Sequence, residues 1–240
     1  MPKPVRTLLG NAVGVTVWVG LLLAGCGPPE PEVSQEAPPE SVVVARAEGD
    51  APEDDPRPAL VAFGDSLTAG KGVSPAESYP GFLQAEFDRR GLEFQVVNEG
   101  ISGDTTARAL SRIDGALRHS PEWVILAIGA NDGLRGLPLD AMEANLERMV
   151  RRFTDGGAQV VVAGMMLPRN YGPEYVGEFE AVYPRVAAKF ELPLIPFLLE
   201  NVAMVRELNQ FDGIHPNAKG NEIVARQVAD FFEGIVRDER

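Results

Sequence analysis

Cysteine is almost absent from this chain of 240 residues, and the single one, Cys26, leaves no intrachain disulfide to form, so the core must stand on packing. Histidine is nearly as scarce. With only His119 and His215, the chain lacks the ligands for a histidine- or thiolate-based metal site, and neither a metal nor another cofactor is expected. Basic residues are outnumbered, 22 against 35 acidic, for a formal charge of −13. Phosphate backbones are held by Lys/Arg-rich surfaces, so nucleic acid is not an expected partner. No internal repeat is found either. What the chain does contain is 45% hydrophobic residues, enough for one α/β domain with a sizeable core.

Residues 1–25 have the layout of a secretory signal, with Lys3 and Arg6 in a short basic start and an apolar segment over residues 13–23 that is short for a membrane span. The segment ends in Leu23-Ala24-Gly25-Cys26, which resembles the lipobox of bacterial lipoproteins. That resemblance implies cleavage before Cys26 and acylation of its thiol. Two or three acyl chains would then hold the mature protein stably at a membrane of the cell envelope, as one chain would not. Gly27 stands where an aspartate would favour retention at the inner membrane, which favours the outer membrane and leaves both open as the site of the anchor. Residues 26–58 follow as a tether: eight prolines alternate with nine acidic and two basic residues, a composition too polar to bury a core. The remaining residues, 59–240, form the expected domain and still carry −8.

Within that domain, continuous apolar runs at residues 60–63, 94–97, 123–128, 160–163 and 194–195 read as strands. Helical spacing separates them. It is clear in Leu110, Ile113 and Leu117, in Met142, Leu146, Met149, Val150 and Phe153, and in Val224, Val228, Phe231, Phe232 and Ile235. Such alternation predicts an α/β fold, a three-layer α/β/α sandwich around a five-stranded parallel sheet.

Chemistry-bearing residues fall where these strands end. Gly64-Asp65-Ser66 closes the first run, and a hydroxyl at a strand's carboxyl edge is a candidate nucleophile, although the tripeptide is also ordinary turn chemistry. The same stretch imitates a phosphate-binding loop. Five residues rather than four separate Gly64 from Gly70, and Gly72 stands where the metal-binding hydroxyl belongs, so that reading fails. After the second run, Gly100 and Gly103 lead into a helix whose outward N–H groups could hold an anionic oxygen, with residues 102–104 equally suited to cap it. After the third, Asn131 could aim its amide at the same oxygen or simply sit in a turn. Near the end, Asp212 precedes His215 by three residues, close enough to accept from one ring nitrogen and free the other as a base. His119 is read as a helix-end residue that caps carbonyls.

In this order the blocks Gly64-Asp65-Ser66, Gly103, Gly129-Ala130-Asn131-Asp132 and Asp212-Gly213-Ile214-His215 resemble the SGNH hydrolases, the GDSL-type esterases and lipases. The strings Ile101-Ser-Gly-Asp-Thr105, Asn131-Asp-Gly-Leu-Arg-Gly136 and Asp212-Gly-Ile-His-Pro-Asn217 are most similar to that family's bacterial thioesterase, lysophospholipase and arylesterase type, which has an ordinary cleaved signal and a glycine in place of Ala130. The resemblance implies a flavodoxin-like SGNH fold and a serine hydrolase of esters or thioesters. Ser66 would be the nucleophile, His215 the base and Asp212 its orienting carboxylate. The Ser66 and Gly103 N–H groups with the Asn131 amide would form the oxyanion hole. It further implies an acyl groove near Leu134, Leu137, Leu167, Tyr171 and Ile214, and a monomer whose partners are an acyl or aryl ester and the membrane. Two other readings remain open at this point, an SGNH carbohydrate deacetylase and an acyl-binding surface lipoprotein without turnover.

Overall fold

The computed structural model describes residues 55–238, so the leader, Cys26 and nearly all of the tether lie outside the described residues. Five strands, β1 (Ala59–Gly64), β2 (Gln95–Gly100), β3 (Trp123–Ala127), β4 (Gln159–Ala163) and β5 (Leu194–Ile195), pair in parallel in the order β2-β1-β3-β4-β5. Each grows from one of the apolar runs. β1 and β3 are buried along their whole length, as parallel strands covered on both faces should be, whereas the edge strand β2 exposes Asn98.

Among the described residues, eight α-helices accompany the sheet: α1 (Ser66–Ala69), α2 (Tyr79–Arg90), α3 (Thr106–Ser111), α4 (Ile113–Leu117), α5 (Ala130–Leu134), α6 (Leu139–Asp155), α7 (Pro173–Lys189) and α8 (Ala218–Asp238). On one face α2 packs along α8, where the Phe232 ring lies 5.9 Å from Phe87 and edge-on to Trp123 at 5.3 Å. On the other, α6 packs between α3 and α7 and turns its stripe of Met142, Leu146, Met149, Val150 and Phe153 inward, all buried. Phe153 meets Phe63 of β1 edge-on at 5.2 Å, and its truncation to alanine would open a void worth about 3–5 kcal/mol.

Three local features differ from the sequence reading. Helical spacing did not mark α2 or α7, whose first turns carry Pro80 and Pro173; proline is tolerated there because the first N–H groups of a helix have no intrahelical partner. The stretch holding Leu110, Ile113 and Leu117 is two short helices rather than one, broken at Arg112. The cap of α3 is Thr105, which accepts from the Arg108 N–H, and not a residue of 102–104.

The strand order places a crevice. From β1 the chain moves outward to β2 and then returns to build β3 on the other side, so the loops leaving the carboxyl ends of β1 and β3 diverge. Ligands of open α/β sheets bind at such a point.

Candidate active site

Gly64 was expected to supply a sharp turn, but its backbone has no positive φ. Its role is space. A Cβ there would lie 2.1 Å from Thr68 Oγ1 and 2.5 Å from the Ala127 carbonyl oxygen, so only glycine lets α1 fold back this closely against β1 and β3. Asp65 then caps α1, its Oδ1 accepting from the Leu67 N–H at 3.0 Å, and Ser66 becomes the first residue of the helix.

From the far end of the chain, a hairpin-like loop brings Asp212 and His215 to this serine. Its base is the bridge between Asn209 and Pro216, with the Gln210 N–H donating to the His215 carbonyl at 2.8 Å. The Gln210 side chain also donates to the carbonyls of Lys71 and Pro216, tying the loop to the segment after α1. Asp212 Oδ1 accepts from the N–H groups of Ile214 and His215, and Oδ2 lies 2.6 Å from His215 Nδ1. Desolvation opposes the charge on Asp212, but the hydrogen bonds from the His215 backbone and ring and from the Ile214 N–H outweigh it and bring its pKa down to about 2. An ionised carboxylate can only accept, so Nδ1 carries the proton. His215 Nε2 is then free to accept from the Ser66 hydroxyl at 2.9 Å.

The donors for an anionic oxygen converge on the same place. Gly103 has φ +83° as the third residue of a turn closed by the Asp104 N–H on the Ile101 carbonyl, the conformation that favours glycine in a type II turn. Among the described residues, no group accepts from the N–H of Ser66 or of Gly103. Asn131, in the first turn of α5, donates one amide hydrogen to the Asp104 carbonyl at 2.9 Å, while the other makes only a long 3.4 Å contact with Asp65 Oδ2. The second hydrogen is the one an oxyanion would draw. Asp65 itself is fully buried, and desolvation pushes its carboxyl up to about 7 against the Leu67 hydrogen bond, with Asp104 and Asp132 adding repulsion.

A cleft of about 450 Å³ opens over these groups, lined by Ser66, His215, Gly103 and Asn131. Of the residues expected to form an acyl groove, Leu134 and Ile214 line it. Leu137, Leu167 and Tyr171 do not. Leu167 is a core residue, packed where a Cβ on Gly133 would meet it, Leu137 is exposed, and Tyr171 reaches the site only indirectly by donating to the Leu134 carbonyl at 3.0 Å. The expected wall is therefore corrected to its Leu134 and Ile214 portion, joined by Leu67 and the cations Lys71 and Arg135.

Sequence reasoning missed the residue that knits these parts together. Arg112, at the break between α3 and α4, sends Nε to Asp104 Oδ2 at 2.6 Å, Nη1 to the Glu99 carbonyl at 2.9 Å and Nη2 to the Gly64 carbonyl at 2.8 Å, with its guanidinium 4.1 Å above the Phe63 ring. One side chain thus holds the ends of β1 and β2 and the loop that carries Gly103. An arginine at helical spacing gives no sign of this in sequence, because two of its three partners are backbone carbonyls and the third, Asp104, lies eight residues away. His119 is likewise corrected. Its Nε2 pairs with the buried Glu99 carboxylate at 3.0 Å instead of capping carbonyls, because the ring lies against the end of β2. Asp132, beside the candidate donor, is buried and accepts from the Thr106 N–H and hydroxyl, which fixes the start of α5 against the start of α3.

Comparison with known proteins adds the following. The profile of the GDSL-like lipase/acylhydrolase family matches residues 62–223. Esterase TesA of Pseudomonas aeruginosa is 40% identical over 158 residues, 65% of this chain and 79% of that protein. "Thioesterase 1/protease 1/lysophospholipase L1" of Escherichia coli K12 is 36% identical over 178 residues, 74% of this chain and 84% of that one. The crystal structure of TesA superposes with a TM-score of 0.70 at 36% identity, covering 73% of this chain and 98% of that one, so the counterpart of the domain stands without the N-terminal segment.

Proposed function

This chain belongs to the GDSL-like lipase/acylhydrolase family, a carboxylic ester hydrolase by that membership, and we propose that it cleaves acyl or aryl esters through an acyl-enzyme on Ser66. One observation carries the assignment of roles: the unbroken relay from Ser66 Oγ through His215 to Asp212, at 2.9 Å and 2.6 Å. The serine oxygen attacks the carbonyl carbon as His215 Nε2 takes its proton, and the imidazolium is stabilised by the Asp212 carboxylate. Charge on the carbonyl oxygen is met by the Ser66 and Gly103 N–H groups and by the Asn131 amide, which gives up its long contact with Asp65. When the tetrahedral intermediate collapses, His215 returns the proton to the leaving oxygen or sulfur. Water, deprotonated by the same imidazole, then releases the acid and restores the serine.

The cleft has the size of a small-ligand site, and its walls of Leu67, Leu134 and Ile214 suit an aliphatic or aryl acyl group. Relatives carry the names esterase and thioesterase/lysophospholipase, which supports lipid and aryl esters as the substrate class. The lipobox around Cys26 supports a lipid-anchored enzyme of the cell envelope. The decisive test is hydrolysis of p-nitrophenyl butyrate and octanoate by the wild-type protein and by Ser66→Ala. Turnover by the first and none by the folded second is expected; equal turnover would remove Ser66 from the mechanism.

A further inference from the structure

Among the described residues, eight large apolar side chains are exposed, and their distribution is not random. Met204, Val205, Phe211 and Ile214 lie between β5 and α8. The other four are Ile101 after β2, Leu137 after β3, and Met166 with Tyr171 after β4. Every one of them sits on a segment that leaves the carboxyl end of a strand. In a parallel sheet all such segments emerge on one side of the molecule, which here is the side of the catalytic cleft. The outer faces of α2, α6, α7 and α8 and the loops entering the strands expose none. Single exposed apolar residues are ordinary, but their confinement to one face marks a contact surface. Phe211 is the extreme case. It is fully exposed, at 111%, at the tip of the turn closed by the Gly213 N–H on the Gln210 carbonyl, next to Asp212. Met204, 87% exposed, holds φ +64°, a conformation more natural to Asn or Gly.

We propose that this apolar collar docks the cleft onto a lipid–water interface, so that esters dissolved in a membrane or lipid aggregate reach Ser66 without first leaving it; the proposal rests on the esterase reading of the cleft. Three features select lipid as the occupant. The collar lies at the carboxyl edge of the sheet, where the cleft opens, and shares Ile214 with it, so a protein seated there would cover the site, whereas a lipid surface carries the substrate. Lys71 and Arg135 line the mouth and would stand at the level of headgroup phosphates. The chain outside the described residues also has the reach this orientation demands. The tether enters at the amino end of β1, on the side away from the cleft, and the domain is roughly 40 Å across. Residues 27–54 would span about 90 Å if extended, long enough to lead from an acylated Cys26 around the domain and let the cleft face the same membrane. Among the described residues no helix is long and apolar enough to cross a membrane, so the contact is superficial. With −8 on residues 59–240, the attraction is apolar rather than electrostatic, and zwitterionic lipid suffices.

The test uses residues 55–240, which lack Cys26, beside the double variant Phe211→Ser/Met204→Asn. Flotation with phosphatidylcholine vesicles reads docking, and hydrolysis of dissolved p-nitrophenyl acetate reads the chemistry. We expect the unsubstituted domain to float with the vesicles in low and high salt, and the variant to partition about tenfold more weakly while hydrolysing the dissolved ester at an unchanged rate. Failure of the unsubstituted domain to float, or equal flotation of the variant, overturns docking. So does a concentration-dependent dimer that the variant dissolves in the absence of vesicle binding, since the collar would then cover a second copy. If neither protein hydrolyses the dissolved ester but flotation is lost in the variant, the esterase reading fails while the lipid surface stands.

Discussion

Asn131 lines the cleft and donates its amide to the Asp104 carbonyl at 2.9 Å and, over a long 3.4 Å, to Asp65 Oδ2, the weaker bond being the one an oxyanion would replace. Removing that donor affects an oxygen that is anionic only in the transition state. Asn131→Ala is therefore expected to lower kcat by about 10²–10³ with little change in KM, as a saturation curve on p-nitrophenyl butyrate would show. Asp212 gives a complementary prediction about acid. Its pKa falls from 3.8 in the unfolded chain to about 2 in the fold, so the stability it adds is fully present above about pH 4 and is lost as pH falls through about 2. Urea titrations over that window should show the wild type losing stability more steeply than Asp212→Asn, and parallel curves would place the carboxylate outside the hydrogen bonds described.

At the scale of elements, the site depends on two junctions. The first is the break at Arg112, which lets one guanidinium bind the last carbonyl of β1, a carbonyl of β2 and the Asp104 carboxylate. Arg112→Leu keeps the bulk over Phe63 but leaves Asp104 buried without that partner. It should destabilise by about 3 kcal/mol in urea unfolding and lower kcat more than it raises KM, since the Gly103 loop loses its anchor while the cleft walls remain. The second junction is Gly129, which begins α5 at φ +120°; a Cβ there would lie 2.6 Å from the Tyr183 hydroxyl and 2.8 Å from Met142 Cε. Gly129→Ala combines a disfavoured backbone with a clash, so a loss of about 2 kcal/mol or more is expected, with Asn131 displaced along with its helix.

Across the whole molecule, the cleft stands over buried acid: Asp65, Asp104 and Asp132 are all nearly inaccessible, and Glu99 lies just behind them. At Asp65 desolvation raises the carboxyl to about 7 from 3.8. Between those values Asp65 retains a proton in the fold that it has released in the unfolded chain, so its contribution to stability falls as pH rises from about 4 to about 7. Melting temperatures at pH 5 and pH 8 should differ more for the wild type than for Asp65→Asn, and an equal difference in both would contradict the buried charge.

Apolar patterning alone specifies the five strands, because runs such as 123–128 can only be satisfied by cover on both faces, and their parallel arrangement follows from the helices between them. The sequence also determined the order of Ser66, Gly103, Asn131, Asp212 and His215, each at a strand end or last loop where local turn chemistry places it. Local patterning had no means of showing what depends on approach between distant segments. Gly64 reads as a turn glycine until β3 is seen against it, Leu167 reads as a groove residue until Gly133 packs on it, and Arg112 reads as a surface cation until two strand ends and Asp104 surround it. The apolar collar belongs to the same class. Its eight residues are scattered between positions 101 and 214, and only the parallel sheet, which sends every strand-leaving segment to one side, makes them a single face.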